Sequence, residues 1–133
     1  MTAIVRAAAA GLMLGALIAA PAFAQQLPAG IQKVATVKGD VWADIKGMTL
    51  YTYDRDTELN KSTCVAACAT NWPAVMAATT DRAVGDWTVA DRADGIKIWA
   101  YKGKPVYLYI NDKAKGDVTG DGAGGGVWKL TKP

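Results

Sequence analysis

Gly47-Met48-Thr49-Leu50-Tyr51-Thr52-Tyr53-Asp54-Arg55-Asp56 recurs as Gly103-Lys104-Pro105-Val106-Tyr107-Leu108-Tyr109-Ile110-Asn111-Asp112. At a shift of 56 residues, Gly47/Gly103, Leu50/Val106, Tyr51/Tyr107, Tyr53/Tyr109 and Asp56/Asp112 coincide, and Trp72 falls on Trp128 without a gap. Shared spacing over that length marks a duplicated unit. Alternate residues of a strand point to opposite faces. In each copy the tyrosines therefore share one face, while Leu50 and Thr52, or Val106, Leu108 and Ile110, share the other.

Outward from these copies the chain reads as short strands and tight turns. Val41 to Ile45, the turn Lys46-Gly47 and Met48 to Asp54 predict a hairpin. Trp99 to Tyr101, the turn Lys102-Gly103 and the strand after Pro105 repeat it. Pro105 stands at a strand start, where a missing N–H is tolerated. Ile31 to Val37 reads as an edge strand, Ala74 to Met76 and Trp87 to Ala90 as strands, Asp94-Gly95 as a hairpin turn into Ile96 to Tyr101, and Val127 to Thr131 as the last strand. Ser62 or Thr63 can cap one helical turn over Cys64 to Cys68. Lys113 to Gly126 reads as a loop. The expected fold is all-β, an antiparallel sandwich or small barrel of two pseudo-repeats with one short helical turn.

The motif Tyr-x-aromatic-x-x-Asp, read at Tyr51, Tyr53, Asp56 and again at Tyr107, Tyr109, Asp112, resembles the bacterial secreted repeat, or lipoprotein repeat, family with its Y-x4-D motif. Cys64-Val65-Ala66-Ala67-Cys68 before Asn71-Trp72-Pro73, Trp99 to Pro105, and Gly116 to Gly122 followed by Gly126-Val127-Trp128 fit it too. The resemblance covers roughly residues 40 to 132. It implies a repeat architecture and no particular activity, since the family has none established.

Arg6, the apolar run Ala7 to Ala20 and Ala22-Phe23-Ala24 predict a signal peptide over 1–24, cleaved before Gln25. The run is shorter than the roughly 20 apolar residues a membrane helix needs. Residues 25–39 then read as an N-terminal lead and 40–133 as one domain, with repeats at about 41–76 and 97–132. Lipoprotein relatives need a cysteine at the cleavage point, and the first here is Cys64. The expectation is a soluble periplasmic or secreted protein, with no membrane attachment after cleavage. Net charge is +3, with no run of like charges, which excludes steering toward nucleic acid. The chain has no histidine. That removes Ser-His-Asp and Cys-His nucleophiles, histidine-ligated zinc and c-type haem.

The tyrosine pairs read as sheet packing or as a stacking platform for sugars or other flat molecules. Asp56 and Asp112 read as caps of the turns after them, or as an acid–base pair. All 5 tryptophans lie after residue 40 and read chiefly as core, or as an exposed carbohydrate platform. Cys64 and Cys68, the only 2 cysteines, predict a disulfide in an exported chain. They could also serve redox chemistry, or bind a soft metal with Met48 or Met76. Their spacing on one helical turn calls for a distorted turn, and the second repeat lacks them.

Asp117, Thr119 and Asp121, with Gly122 after them, match the opening of a calcium loop, but Trp128 stands where its last acid belongs. A Gly-rich turn cluster is the competing reading, and no other cofactor is implied. The expected function is a small exported non-enzymatic module that binds a small ligand or an envelope partner. The alternatives are a redox or metal-handling accessory using Cys64 and Cys68, or a purely structural envelope protein.

Overall fold

The computed structural model describes residues 26–133, and Gly11 and Gly15 before them; the signal-peptide assignment lies outside the described residues. Eight strands and two short helices follow in order: β1 (Gln32–Thr36), β2 (Gly39–Ala43), β3 (Tyr51–Tyr53), β4 (Lys61–Ser62), α1 (Ala67–Asn71), β5 (Trp87–Arg92), β6 (Lys97–Tyr101), β7 (Lys104–Pro105), α2 (Ala123–Gly126) and β8 (Trp128–Leu130). The fold is all-β, with mostly antiparallel pairing and a sheet curled as a half-barrel. β1 pairs with β2, β3 with β8, and β4 to β7 form a four-stranded sheet in which only β4–β5 is parallel. The edge strand expected over Ile31 to Val37 is β1, so part of the N-terminal lead belongs to the sheet.

A two-fold relation organises the molecule. Tyr51 and Tyr107, equivalent residues of the two repeats, face each other as an antiparallel pair. Each donates its backbone N–H to the other's carbonyl, at 2.8 and 2.9 Å. A residue can pair in this way with its own equivalent only across a two-fold axis. The surrounding bonds come in mates: Thr131 N to Leu50 O and Val75 N to Val106 O, Asp54 N to Val127 O and Ile110 N to Asn71 O. The last strand of each repeat therefore lies beside the tyrosine strand of the other. β8 runs along β3, and Ala74 bridges to Tyr107. Trp42 N bonds to Thr131 O as Trp99 N does to Val75 O, so Trp42 and Trp99 are also mates. Their shift is one residue longer, because the first hairpin turn holds an extra residue.

Strand alternation separates two cores, as the tyrosine and aliphatic faces predicted. Leu50 and Val106 pack with Ile31, Trp42, Trp87, Trp99 and Tyr101. Tyr51 and Tyr107 turn the other way, onto Cys64, Trp72 and Trp128. Gly47 and Gly103 show why both copies open on glycine. They sit at φ 79° and 82°, and a Cβ would stand 2.6 Å from Lys115 Cγ or 2.5 Å from Leu59 Cδ2. Lys115 and Leu59 are mates, so each glycine admits the loop that follows the other repeat's motif.

The helical turn expected over Cys64 to Cys68 lies elsewhere. The chain passes through Ala66 at φ 54°, and the helix runs Ala67–Asn71. This break brings Cys64 and Cys68 to a Cα separation of 5.2 Å, inside the range a disulfide spans. Lys113 to Gly126 is mainly loop as expected, closed by the Gly-rich turns of α2, where Gly124 and Gly125 have left-handed φ.

Candidate functional site

The motif residues form two crossed pairs at the centre. The Tyr51 hydroxyl donates to Asp112 Oδ2 at 2.6 Å and the Tyr107 hydroxyl to Asp56 Oδ2 at 2.5 Å. Each tyrosine thus serves the aspartate of the other copy. The remaining oxygen of each carboxylate holds its own loop. Asp56 Oδ1 accepts Thr63 N and Oγ1, both at 2.7 Å, and Asp112 Oδ1 accepts the mates Thr119 N and Oγ1 at 3.0 and 2.5 Å. Both tyrosines are fully buried, and the aspartates are 1% and 6% exposed. Burial first, then the bond to the carboxylate, pushes both phenols well above their ordinary value of 10.0. They stay neutral donors throughout the physiological range. Asp56 and Asp112 each have a separate tyrosine and do not share a proton-transfer site.

Above these pairs the other aromatic residues form one continuous stack. Tyr53 lies on Trp128 (centroids 4.2 Å, planes 9° apart), Trp128 on Trp72 (3.8 Å, 5°) and Trp72 on Tyr109 (4.1 Å, 21°). The two-fold relation passes between the tryptophans. These are 7% and 4% exposed, with their ring faces used on each other, while the terminal tyrosines are half-buried. The motif tyrosines have therefore divided their work. Tyr51 and Tyr107 lock the repeats together, and Tyr53 and Tyr109 end the stack near the surface.

At the Tyr109 end the stack opens on a recess of about 340 Å³. Asn71, Trp72, Tyr109, Asn111, Gly124 and Trp128 line it, with no charged side chain among its lining residues. The Asn111 carboxamide donates to the Tyr109 hydroxyl at 2.9 Å. The Asn71 carboxamide has no hydrogen-bond partner among the described residues. Gly124, at φ 66°, lies beside the pyrrole edge of Trp128: a Cβ there would stand 2.9 Å from Val127 Cγ2, 3.5 Å from Trp128 Cδ1 and 3.9 Å from its Nε1. At the Tyr53 end the equivalent positions are Val127 for Asn71, Arg55 for Asn111 and Cys68 for Gly124. Asn71, Asn111 and Gly124 were not singled out from the sequence. Writing the repeats one above the other shows them among the positions where the copies differ in chemistry.

Cys64 and Cys68 are bonded, so both thiols are spent in the disulfide, and Cys64 is fully buried against the aromatic cluster. The calcium candidates are not gathered on one point. Asp117 Oδ2 accepts the N–H groups of Lys113 and Ala114, Thr119 serves Asp112, and Asp121 pairs with Lys38 at 2.9 Å. The two N–H groups, Ala114 first, hold the Asp117 carboxyl below its usual range. The described residues hold no group of three or more His, Cys, Asp or Glu side chains suited to a metal ion.

The model of a secreted repeat of unknown function matches residues 33–76 and 88–132. The chain belongs to this secreted-repeat family. The two matched segments are the two halves related by the axis, and the family's second match begins with β5, the mate of β1. No curated protein and no solved structure matches the chain. No helix among the described residues is long and apolar enough to cross a membrane.

Proposed function

We propose that this secreted repeat is a non-enzymatic binding module, exported by a signal peptide over residues 1–24 and released as a soluble periplasmic or secreted protein. Its ligand is a neutral saccharide held in the recess beside Tyr109. One observation carries the reading: an aromatic stack ends in an uncharged recess rimmed by two carboxamides. A sugar ring offers a C–H face to aromatic groups and hydroxyls to amides and an indole N–H. A volume of about 340 Å³ lies at the small end of ligand sites. The non-enzymatic part rests on the chemistry present. The chain lacks histidine, and its buried carboxylates are occupied by tyrosine, threonine and backbone donors rather than open to a substrate.

The test is tryptophan fluorescence during titration with neutral oligosaccharides, alongside a flat heteroaromatic compound. A saturable change with a sugar, lost in Asn71→Ala and Asn111→Ala, is the expected result. No response to any sugar, or an equal response in both variants, would overturn the reading. A response to the heteroaromatic compound alone would make the recess a site for planar rings instead. Export is tested separately by intact mass, which should begin at Gln25; a membrane-held chain retaining residues 1–24 would contradict it.

A further inference from the structure

The turns after the two motifs have the same backbone but not the same occupant. In the second repeat Asp117 N donates to Ala114 O at 3.0 Å, and in the first Lys61 N donates to Glu58 O at 3.4 Å. These are equivalent bonds. The second turn folds around a carboxylate: Asp117 Oδ2 receives Lys113 N at 2.9 Å and Ala114 N at 2.8 Å. Their mates are Thr57 N and Glu58 N, and Lys61 stands where Asp117 stands. Thr57 N and Glu58 N donate to nothing among the described residues. Beside them opens a cleft of about 320 Å³, which Lys61, Ser62, Thr63 and Arg92 also line.

We propose that this cleft binds a carboxylate supplied from outside the chain, seated on Thr57 N and Glu58 N as the Asp117 carboxylate is seated on their mates. The internal carboxylate is the template for the ligand. An acid in one repeat has been exchanged for a base in the other, so the two donors lose their internal acceptor, while the Lys61 ammonium pairs with the Glu58 carboxylate. Paired backbone N–H groups are a recurrent means of capturing carboxylates, including peptide C-termini. The acids on the rim are already matched: Glu58 with Lys61 at 3.0 Å, and Asp91 with Lys97. Arg92, which lines the cleft, is likewise held by Asp94 at 2.9 Å, so the two open N–H groups rather than net charge make the seat. The donors are solvent-exposed, so the affinity for a small carboxylate is on the order of millimolar. This site is separate from the Tyr109 recess and does not depend on the saccharide reading.

The test is amide NMR of the exported chain during titration with sodium acetate at constant ionic strength. Thr57 and Glu58 amides should shift saturably, while Lys113 and Ala114 stay still because Asp117 holds them. Lys61→Asp installs the internal carboxylate and should weaken the response by about tenfold or more. Lys61→Ala removes the charge but leaves the N–H pair open, and should weaken it less. Asp117→Ala should make Lys113 and Ala114 respond in their turn. Two short peptides, one with a free C-terminus and one amidated, identify the source: a tighter response to the free peptide than to acetate assigns a chain terminus, and an equal one a small acid. Still amides at Thr57 and Glu58 in a folded protein would overturn the proposal. So would a Lys61→Asp variant that responds like the parent, or inorganic phosphate binding as tightly as acetate.

Discussion

The loops that follow the two motifs, 57–72 and 113–128, begin from the same aspartate anchor and diverge in how they fill the space beyond it. Superposed by the repeat, Cys64 stands on Gly120 and Cys68 on Gly124. The first loop closes with a disulfide beside the aromatic stack. The second closes with bare backbone: Gly120 gives its N–H to the Tyr51 hydroxyl at 3.1 Å, and a Cβ on it would stand 2.8 Å from Trp72. The anchors repeat because the two-fold centre needs them on both sides. The loop interiors do not repeat, and the two open sites lie where they differ: a recess beside Gly124 and a cleft beside Lys61. In a duplicated protein, symmetry is thus a guide to structure and its local failure a guide to function.

The hardest blow to the comparison is to remove a shared anchor. Asp112→Ala takes the acceptor from Tyr51 and from both Thr119 donors, leaving buried polar groups unpaired. The expected loss is about 3–5 kcal/mol in unfolding free energy. Asp56→Ala should cost a similar amount. Tyr51→Phe should cost about 1–3 kcal/mol. Double-mutant cycles by chemical denaturation should show coupling of at least about 1 kcal/mol between Tyr51→Phe and Asp112→Asn, and almost none between Tyr51→Phe and Asp56→Asn. Coupling within a copy instead of between copies would contradict the crossing.

Alkali attacks both anchors at once. The folded phenols titrate above the unfolded value of 10.0. Their contribution is therefore complete below pH 10 and is lost as pH rises from there toward the folded values. Each tyrosine should subtract about 1.4 kcal/mol per pH unit beyond that point. Melting followed from pH 8 to 11 should stay level and then fall steeply. Tyr51→Phe and Tyr107→Phe should each shallow the fall, and the double variant should shallow it most.

The repeats were legible because the motif is local and its spacing is constant. The alternation of Leu50 with Tyr51, and of Val106 with Tyr107, gave the two-sided packing for the same reason. The crossing was not legible: either tyrosine is chemically suited to either aspartate, and only tertiary contact chooses between them. The helix was misplaced because Ala66 takes a positive φ that its residue type does not announce. Trp99 as the mate of Trp42 was hidden by one inserted turn residue. The spacing of Asp117, Thr119 and Asp121 left a calcium loop open beside a Gly-rich turn cluster, and the backbone N–H groups that Asp117 accepts are invisible to a side-chain motif.

Gly120→Ala sharpens the contrast between the loops. The new methyl meets Trp72 and Tyr109 ring atoms within 2.9 Å, and those rings are held in the stack. Overpacking there should cost about 1–3 kcal/mol. The reverse exchange, Cys64→Gly with Cys68→Gly, tests whether the first loop can live as the second does. Calorimetry on both should find the added methyl more harmful per atom than the deleted sulfurs.

The smallest effect belongs to the disulfide. Chain-entropy stabilisation grows with the length of loop closed, and the bond between Cys64 and Cys68 closes a very short one. Replacing both by Ala should therefore lower stability by at most about 2 kcal/mol, including the space left where the buried Cys64 sulfur met the aromatic cluster. Thermal melting should remain one cooperative transition at a modestly lower temperature, because Asp56 still holds Thr63 and Tyr107 on either side of its carboxylate. The second repeat already does without a bridge at the equivalent positions. A double variant that is unfolded at room temperature would mean that the first loop depends on its bridge, and that the shared anchor suffices only where glycine lets the backbone close on the rings.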